Sequence, residues 1–294
     1  MFTYFKGVIM LNNFDRVKVL NSVLPFIQSF YGRVIVIKYG GSAMQNFALK
    51  SKIVEDILLL SYLGIKVVIV HGGGPMINDW LHKVHIKPQF SNGIRVTDKR
   101  TMELVEMVLV GKVNKDLVTL FNKSSNLAIG LSGKDANLIT ASRFFPEQRD
   151  NYTGQILQIN LEIISILLNS GYIPIIASIA SDHNGETYNI NADSVAGAIA
   201  ESLNADKLVL LTDMPGIMLN IDNPSSLLKN LNIQQLEDLK KKKIIFDGMI
   251  PKVDCCIKAL QNNVRSVHIV NGKIQHVLLL EILTSNCTGS VLVA

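Results

Sequence analysis

A chain of 294 residues, 48% of them apolar, is long enough for about two lobes around a substantial core, and its composition excludes a disordered polypeptide. A net charge of +5 is spread along the sequence and aromatics make up only 6%, which suits phosphorylated or acidic ligands and argues against a nucleic-acid partner. No apolar run approaches the roughly 18 residues of a membrane span, so no membrane partner is expected.

The opening MFTYFKGVIM carries no secretory or transit pattern. The only cysteines, Cys255, Cys256 and Cys287, make no disulfide framework. The chain is therefore expected to work where it is made, in a cytoplasm, or in the plastid stroma if the gene is plastid-encoded. Residues 11–31 read as a helix, with Pro25 as its bending point. Arg33–Lys38 (RVIVIK) is a buried strand that runs into Gly40 and Gly41. Asn46–Tyr62 has helical periodicity. Lys66–Val70 (KVVIV) is a second strand, and it climbs into Gly72–Gly74 and Pro75. Asp98 is placed to N-cap a long amphipathic helix reaching Phe121. Residues 140–159, with Pro, Gly and aromatics, break the rhythm as a hairpin or flap. Tyr172–Ala177, Lys207–Thr212 and Ser266–Val270 add three strands, and Asp193–Leu203, Pro251–Gln261 and Ile274–Leu283 read as helices. Near-continuous Val and Ile suit a parallel sheet covered on both faces. The expected fold is α/β, a three-layer sandwich around a mainly parallel open sheet, in two lobes that meet near Asn204–Asp206.

Two strands that run into glycines pose a chemical question. At a strand-to-helix junction, glycine lets backbone N–H groups approach a ligand, and the helix N-terminus adds partial positive charge. Pro75 fits a first helical turn, where its missing N–H does no harm. Three successive glycines favour an anion cradle at Gly72–Gly74 over a crowded turn without a ligand. Gly40–Gly41 repeats the device, at the strand ends where open α/β sheets bind ligands. Rival spellings fail. IGLSGKDAN (129–137) lacks the first glycine of a Walker A loop and has Asp135 after Lys134. HGGG has no G-x-S-x-G elbow to serve as an esterase site. His71, His82 and His85 lack a catalytic-zinc set, and the last two suit a solvated helix face.

Charged groups should converge on a bound anion. Lys38 closes an apolar strand beside Gly40–Gly41. Lys252 opens a helix, where a cation opposes the dipole unless an anion is present. Asn189 and Asn191 are placed to cap or to bind, Asp193 to cap or to hold ammonium groups, and Arg95 offers a fork for a carboxylate.

IKYGGSAM, VHGGGPMIN, NGIRVTD, NINADSVAGAIAESLNADKLVLLTDMPGI and GMIPKV stand in the order and spacing of the acetylglutamate kinases, a branch of the amino-acid kinase family. The resemblance runs from about Leu24 to Ala294. It implies ATP-dependent phosphorylation of the γ-carboxylate of N-acetyl-L-glutamate, the second step of arginine synthesis, with Mg2+ carried by the nucleotide and no protein-bound metal. Lys38 and Lys252 become the transition-state lysines, with Asp193 orienting both. Gly73, Gly74, Arg95 and Asn189 become acetylglutamate contacts, while Gly40, Gly41, Thr212, Asp213 and Gly216 would face ATP. The resemblance divides the chain into an N-terminal oligomerisation helix (1–29), an acetylglutamate lobe (30–204) and an ATP lobe (205–294). It also resembles arginine-inhibited members, which interlace dimers into a ring-shaped hexamer. His268, Glu281 and Gly289 are then the arginine contacts. Activation by the PII signal protein occurs among such enzymes, although these residues alone do not demand it. A sister amino-acid or carbamate kinase, and a non-catalytic arginine sensor on the same fold, are the alternatives. A sensor would be expected to have lost Lys38, Lys252 or Asp193.

Overall fold

Strands of almost unbroken Val and Ile need cover on both faces. The computed structural model, which describes residues 12–294 other than Gln45, Asn92, Gly93, Asp247 and Asn286, provides it. Eight strands form one sheet in the order Asn230–Asn232, Ser290–Val293, Ser266–Asn271, Lys207–Thr212, Val34–Tyr39, Lys66–His71, Ile173–Ala177 and Ala128–Ser132. The last six in that order are mutually parallel, so their carboxyl ends share one rim. The first two pair in parallel with each other and run against the rest.

Alternation along the strands sorts side chains into two apolar layers. Ile35, Ile37 and Tyr39 enter one layer with the helices Phe47–Tyr62 and Val277–Leu283. Val36, Leu208 and Leu210 enter the other, against Ala192–Ser202 and Met249–Gln261. The same period sends Lys38 to the second layer. It sends Lys207 and His268 to the first. The three-layer α/β sandwich follows directly from this pattern.

Several elements differ from the sequence expectation. The Asp98–Phe121 helix is not uniform: Asp98 caps Lys99–Glu106, but Met107–Asn114 winds as a π-helix before Lys115–Asn122 resumes. The amphipathic pattern could not show this, because the wider winding answers contacts with a distant turn. Ala128–Ser132 is a strand despite Ala and Gly in its sequence, held by five register pairs with Ile173–Ala177. Residues 140–159 do contain a hairpin, Ile139–Arg143 against Thr153–Ile159, with a register shift at Thr140/Ala141. It closes with Ile179–Ser181 and Thr187–Ile190 into a small four-stranded barrel. The helix expected from Pro251 begins at Met249, and the one expected from Ile274 begins at Val277. The segment Asn204–Asp206 is a turn with Asn204 at φ 47°, and the sheet runs unbroken across it.

Asn13–Phe30 is one helix with Pro25 inside it and no buried residue. The remainder of the proposed 1–29 segment, residues 1–11, lies outside the described residues.

Candidate active site

Asn191 caps the helix Ala192–Ser202, its side chain accepting from the N–H of Asp193 (2.8 Å) and Ser194 (3.2 Å). With the cap supplied by Asn191, the Asp193 carboxylate is free to face two ammonium groups. Lys252 Nζ, from the first turn of Met249–Gln261, donates to Oδ2 at 2.8 Å. Lys38 Nζ stands 3.0 Å from Oδ1, an ion pair without hydrogen-bond alignment. Burial alone would raise the Asp193 pKa, but Lys38 and Lys252 hold the carboxyl well below the usual range. Burial opposes the charge on Lys252, yet Asp193 keeps its pKa raised. Two ammoniums against one carboxylate leave this three-residue cluster with one net positive charge.

Space here is set by glycine. A Cβ on Gly40 would stand 2.9 Å from Lys38 Nζ, so any side chain would displace the ammonium. Gly41 has φ +71°, and a Cβ on it would lie 2.9 Å from both Asp213 carboxylate oxygens.

Gly73, Gly74, Arg95 and Asn189 converge on one cavity of about 200 Å3. Gly73 and Gly74 head the helix Gly74–Lys83, where N–H groups have no intrahelical partner. Gly72 lines the same cavity, but its N–H is already engaged, donating to the Tyr39 carbonyl at 3.1 Å. Arg95 is 9% exposed. Its Nη2 donates to Asn78 Oδ1 at 2.6 Å and its guanidinium lies 4.7 Å from the Phe90 ring centre. Arg95 Nη1 is buried without a hydrogen-bond partner. Burial lowers the Arg95 pKa, and an unmatched buried cationic donor is costly unless an anion completes it. Thr153 Oγ1 donates to the Arg95 carbonyl at 2.7 Å. Asn189 Nδ2 donates to Thr97 Oγ1 at 3.2 Å, which leaves its Oδ1 as an acceptor. The cavity thus offers N–H donors, a cation and an amide acceptor, matching an acylated amino acid in kind.

A larger cavity of about 640 Å3 is lined by Thr212, Gly216 and Lys252 together with apolar Met214, Ile217, Leu219, Ile221, Ile245 and Met249. Ala192 borders the smaller cavity and Lys252 the larger, so Asp193 and its two lysines stand between them. Gly216, at φ +154°, is also required by packing, since a Cβ would meet Ser290 Oγ at 2.5 Å.

His268 and Glu281 come together toward the opposite end of the strands. His268 Nδ1 donates to Glu281 Oε1 at 2.7 Å. Its Nε2 faces Lys207 Nζ at 2.9 Å and Ser266 Oγ at 3.0 Å, and accepts from them. Glu281 Oε2 accepts from the Thr288 N–H at 3.0 Å and its hydroxyl at 3.1 Å. Burial would raise the Glu281 pKa, but His268 and Thr288 bring it below its ordinary value. Cys287 Sγ lies within 4.8 Å of the same two side chains, yet the Lys207 ammonium on the other ring nitrogen argues against a metal ion held between them. Gly289 has a packing reason: a Cβ would stand 2.1 Å from the Ile269 carbonyl.

Phe90, Thr153 and Ser178 of the smaller cavity, and Asn78, which holds Arg95, were not singled out from sequence. Asn78 carried a signal, lying four residues after Gly74 on the same helix face. Ser178 follows a strand end as the glycines do, and Phe90 and Thr153 had none.

The amino acid kinase family model matches residues 33–271. An acetylglutamate kinase from Gracilaria tenuistipitata var. liui is 72% identical over 284 residues, 97% of this chain and 100% of that one. One from Pyropia yezoensis is 53% identical over 287 residues, again 97% of this chain and 100% of that one. Among solved structures, an N-acetylglutamate synthase from Neisseria gonorrhoeae, complexed with coenzyme A and N-acetyl-glutamate, superposes with a TM-score of 0.83 at 25% identity. That match covers 95% of this chain and 63% of the longer synthase chain.

Proposed function

Because the chain belongs to the amino acid kinase family, and within it to the acetylglutamate kinases, we propose that it transfers the γ-phosphoryl group of ATP to the γ-carboxylate of N-acetyl-L-glutamate. The products are N-acetyl-L-glutamyl 5-phosphate and ADP, the second step of arginine synthesis. The observation that carries this is Asp193 bridging Lys38 and Lys252 between two cavities. A γ-carboxylate with a pKa of about 4.3 is already ionised at neutral pH, so no general base is needed. One carboxylate oxygen bonds to the γ-phosphorus while the bond to the bridging oxygen of ADP breaks, with no proton transfer. The remaining difficulty is bringing two anions together, and the site's excess positive charge answers it.

The acceptor occupies the smaller cavity, with its α-carboxylate on Arg95, its acetamido N–H toward Asn189 and its γ-carboxylate at Gly73 and Gly74. ATP occupies the larger one, its base against the apolar wall, its phosphates toward Gly40, Gly41 and Lys252, and Mg2+ arriving on the nucleotide. Thr212, Asp213 and Gly216 form the turn that borders it. The 30–204 and 205–294 segments are then the acceptor and nucleotide lobes.

Arginine inhibition is the regulatory part of this proposal. The Lys207 ammonium lies 5.3 Å from the ring centre of Phe30, which links the N-terminal helix to the His268–Glu281 cluster. Phe14, Leu20 and Leu24 are exposed on that helix and suit a partner helix in a hexamer built as a trimer of dimers. Arginine would enter near Glu281, His268 and Gly289. Red algal relatives favour a plastid-encoded gene, and PII activation belongs to the same proposal without support from a residue here.

The test is ATP- and Mg2+-dependent formation of a hydroxylamine-trapped acyl phosphate from N-acetyl-L-glutamate, with glutamate and aspartate as controls, with and without arginine. Product from acetylglutamate alone, suppressed by arginine, is expected. Product from none of the three acceptors overturns the proposal. Removal of residues 1–29 should leave turnover and abolish arginine inhibition, and retained inhibition would exclude that helix from regulation.

A further inference from the structure

The glycine turn after Lys66–His71 has a mount of its own. His71 is fully buried. Its Nδ1 lies 3.0 Å from the Gly72 carbonyl oxygen and its Nε2 lies 3.1 Å from Asn114 Nδ2. A carbonyl can only accept, so Nδ1 carries the hydrogen. Burial lowers the ring's pKa to about 4, so it is neutral and Nε2 keeps a lone pair for the Asn114 N–H. Asn114 cannot turn its amide over, because its oxygen would then face the carbonyls of Ile175 (2.8 Å) and Leu131 (3.3 Å), which share the second Nδ2 hydrogen. Two neighbouring strands thus fix Asn114, Asn114 fixes the tautomer of His71, and His71 fixes the Gly72 carbonyl.

The π-wound segment Met107–Asn114 supplies a second grip. Its Leu109 and Val113 pack against Gly73, where a Cβ would stand 2.5 and 3.4 Å from their methyl groups. π-turns inside α-helices occur often at functional sites. Here the π segment both presses on the cradle and ends at the residue that orients His71.

In a planar trans peptide, the carbonyl of Gly72 and the N–H of Gly73 belong to one rigid unit and point in opposite directions. Holding the carbonyl on the imidazole therefore aims the Gly73 N–H away from the ring. We propose that His71, set by Asn114, is a positioning residue that aims the Gly73 N–H at the reacting anion. This rests on Gly73 as part of the kinase cradle. His71 exchanges no proton in this role.

Two variants separate positioning from mere packing. His71→Asn keeps an amide nitrogen where Nδ1 stood and can still donate to Gly72. His71→Gln moves the amide to where Nε2 stood, serving Asn114 and deserting Gly72. With misplacement worth about 100-fold in such sites, His71→Gln should lower kcat about that much with KM for ATP unchanged. His71→Asn should recover most of it, at a similar melting temperature. Equal loss in both variants, or loss in neither, overturns the proposal. Nitrogen-15 NMR of the wild-type imidazoles, with His71 assigned by the signal missing from the variants, supplies a readout independent of turnover. Hydrogen on Nδ1 and a lone pair on Nε2 at neutral pH are expected; hydrogen on Nε2, or a charged ring, overturns it. Since that spectrum does not depend on which acceptor is phosphorylated, it fails separately from the kinase assignment.

Discussion

Each end of the sheet holds a carboxylate largely withdrawn from water among basic groups, and the two are finished differently. Glu281 has both oxygens engaged, by His268 on one side and Thr288 on the other, and the lone pair of His268 is used by Lys207 and Ser266. Asp193 meets two lysines, one of which is not aligned with it, and these stand between two cavities. The first cluster meets its own polar groups and leaves no positive charge over for an anion. The second has a surplus of positive charge and Arg95 Nη1 unmatched nearby. What a charged cluster leaves unsatisfied, more than its burial, marks it as a place for a moving anion.

The sharpest way to break this comparison is Asp193→Asn, which should affect both turnover and stability. Two largely buried ammoniums lose their shared anion, so stability should fall by about 3 kcal/mol. Turnover should fall about 100-fold or more as Lys38 leaves its place. Urea unfolding and kcat at saturating substrate check both; wild-type values for either would contradict the role of Asp193.

Arg95→Lys tests the unmatched donor. A lysine cannot reproduce a planar fork held by Asn78 and stacked on Phe90, so KM for acetylglutamate should rise about tenfold, one lost charge-assisted bond. KM for ATP should not move. An unaltered acceptor KM would remove Arg95 from the site.

Acid tests the buried histidines. The unfolded His71 binds a proton near pH 6.5, but the folded ring holds off until about 4. The unfolded state therefore binds more protons in that window, and stability should fall as pH drops from about 6.5 toward 4. His71→Asn should remove a share on the order of 3 kcal/mol of that fall. His268, whose pKa burial also lowers, keeps a share of the same sign. A pH profile identical in variant and wild type would show that His71 takes up its proton at the same pH folded as unfolded, and would contradict a buried ring held neutral.

Glu281→Gln is the smallest change at the other cluster. It should cost about 1 to 3 kcal/mol through the donors left unmatched at His268 and Thr288, with kcat in the absence of arginine unchanged. A collapse of kcat would mean that the two ends are not separable.

Much of this site was legible before any coordinates. Lys38 at a strand end, glycines at two junctions and Lys252 at a helix start are local signals, and each follows from what a strand or helix terminus presents to a ligand. The parallel sheet was legible because buried strands here are almost pure Val and Ile. What escaped notice depends on long-range contact. The π winding of Met107–Asn114 answers Gly73 and His71, which lie more than thirty residues earlier. Ala128–Ser132 has little strand propensity of its own and is held by pairing. Asn191 was legible as a cap or a ligand contact, and it is the residue that caps the helix, in place of Asp193.

The most direct test of the central claim is kcat of Lys252→Ala at saturating acetylglutamate and ATP, read by acyl-phosphate trapping. Removal of one ammonium that meets the transferring group should lower kcat about 100- to 1000-fold, with acceptor KM little changed. A kcat equal to wild type would mean that the Asp193–lysine cluster only holds the fold together.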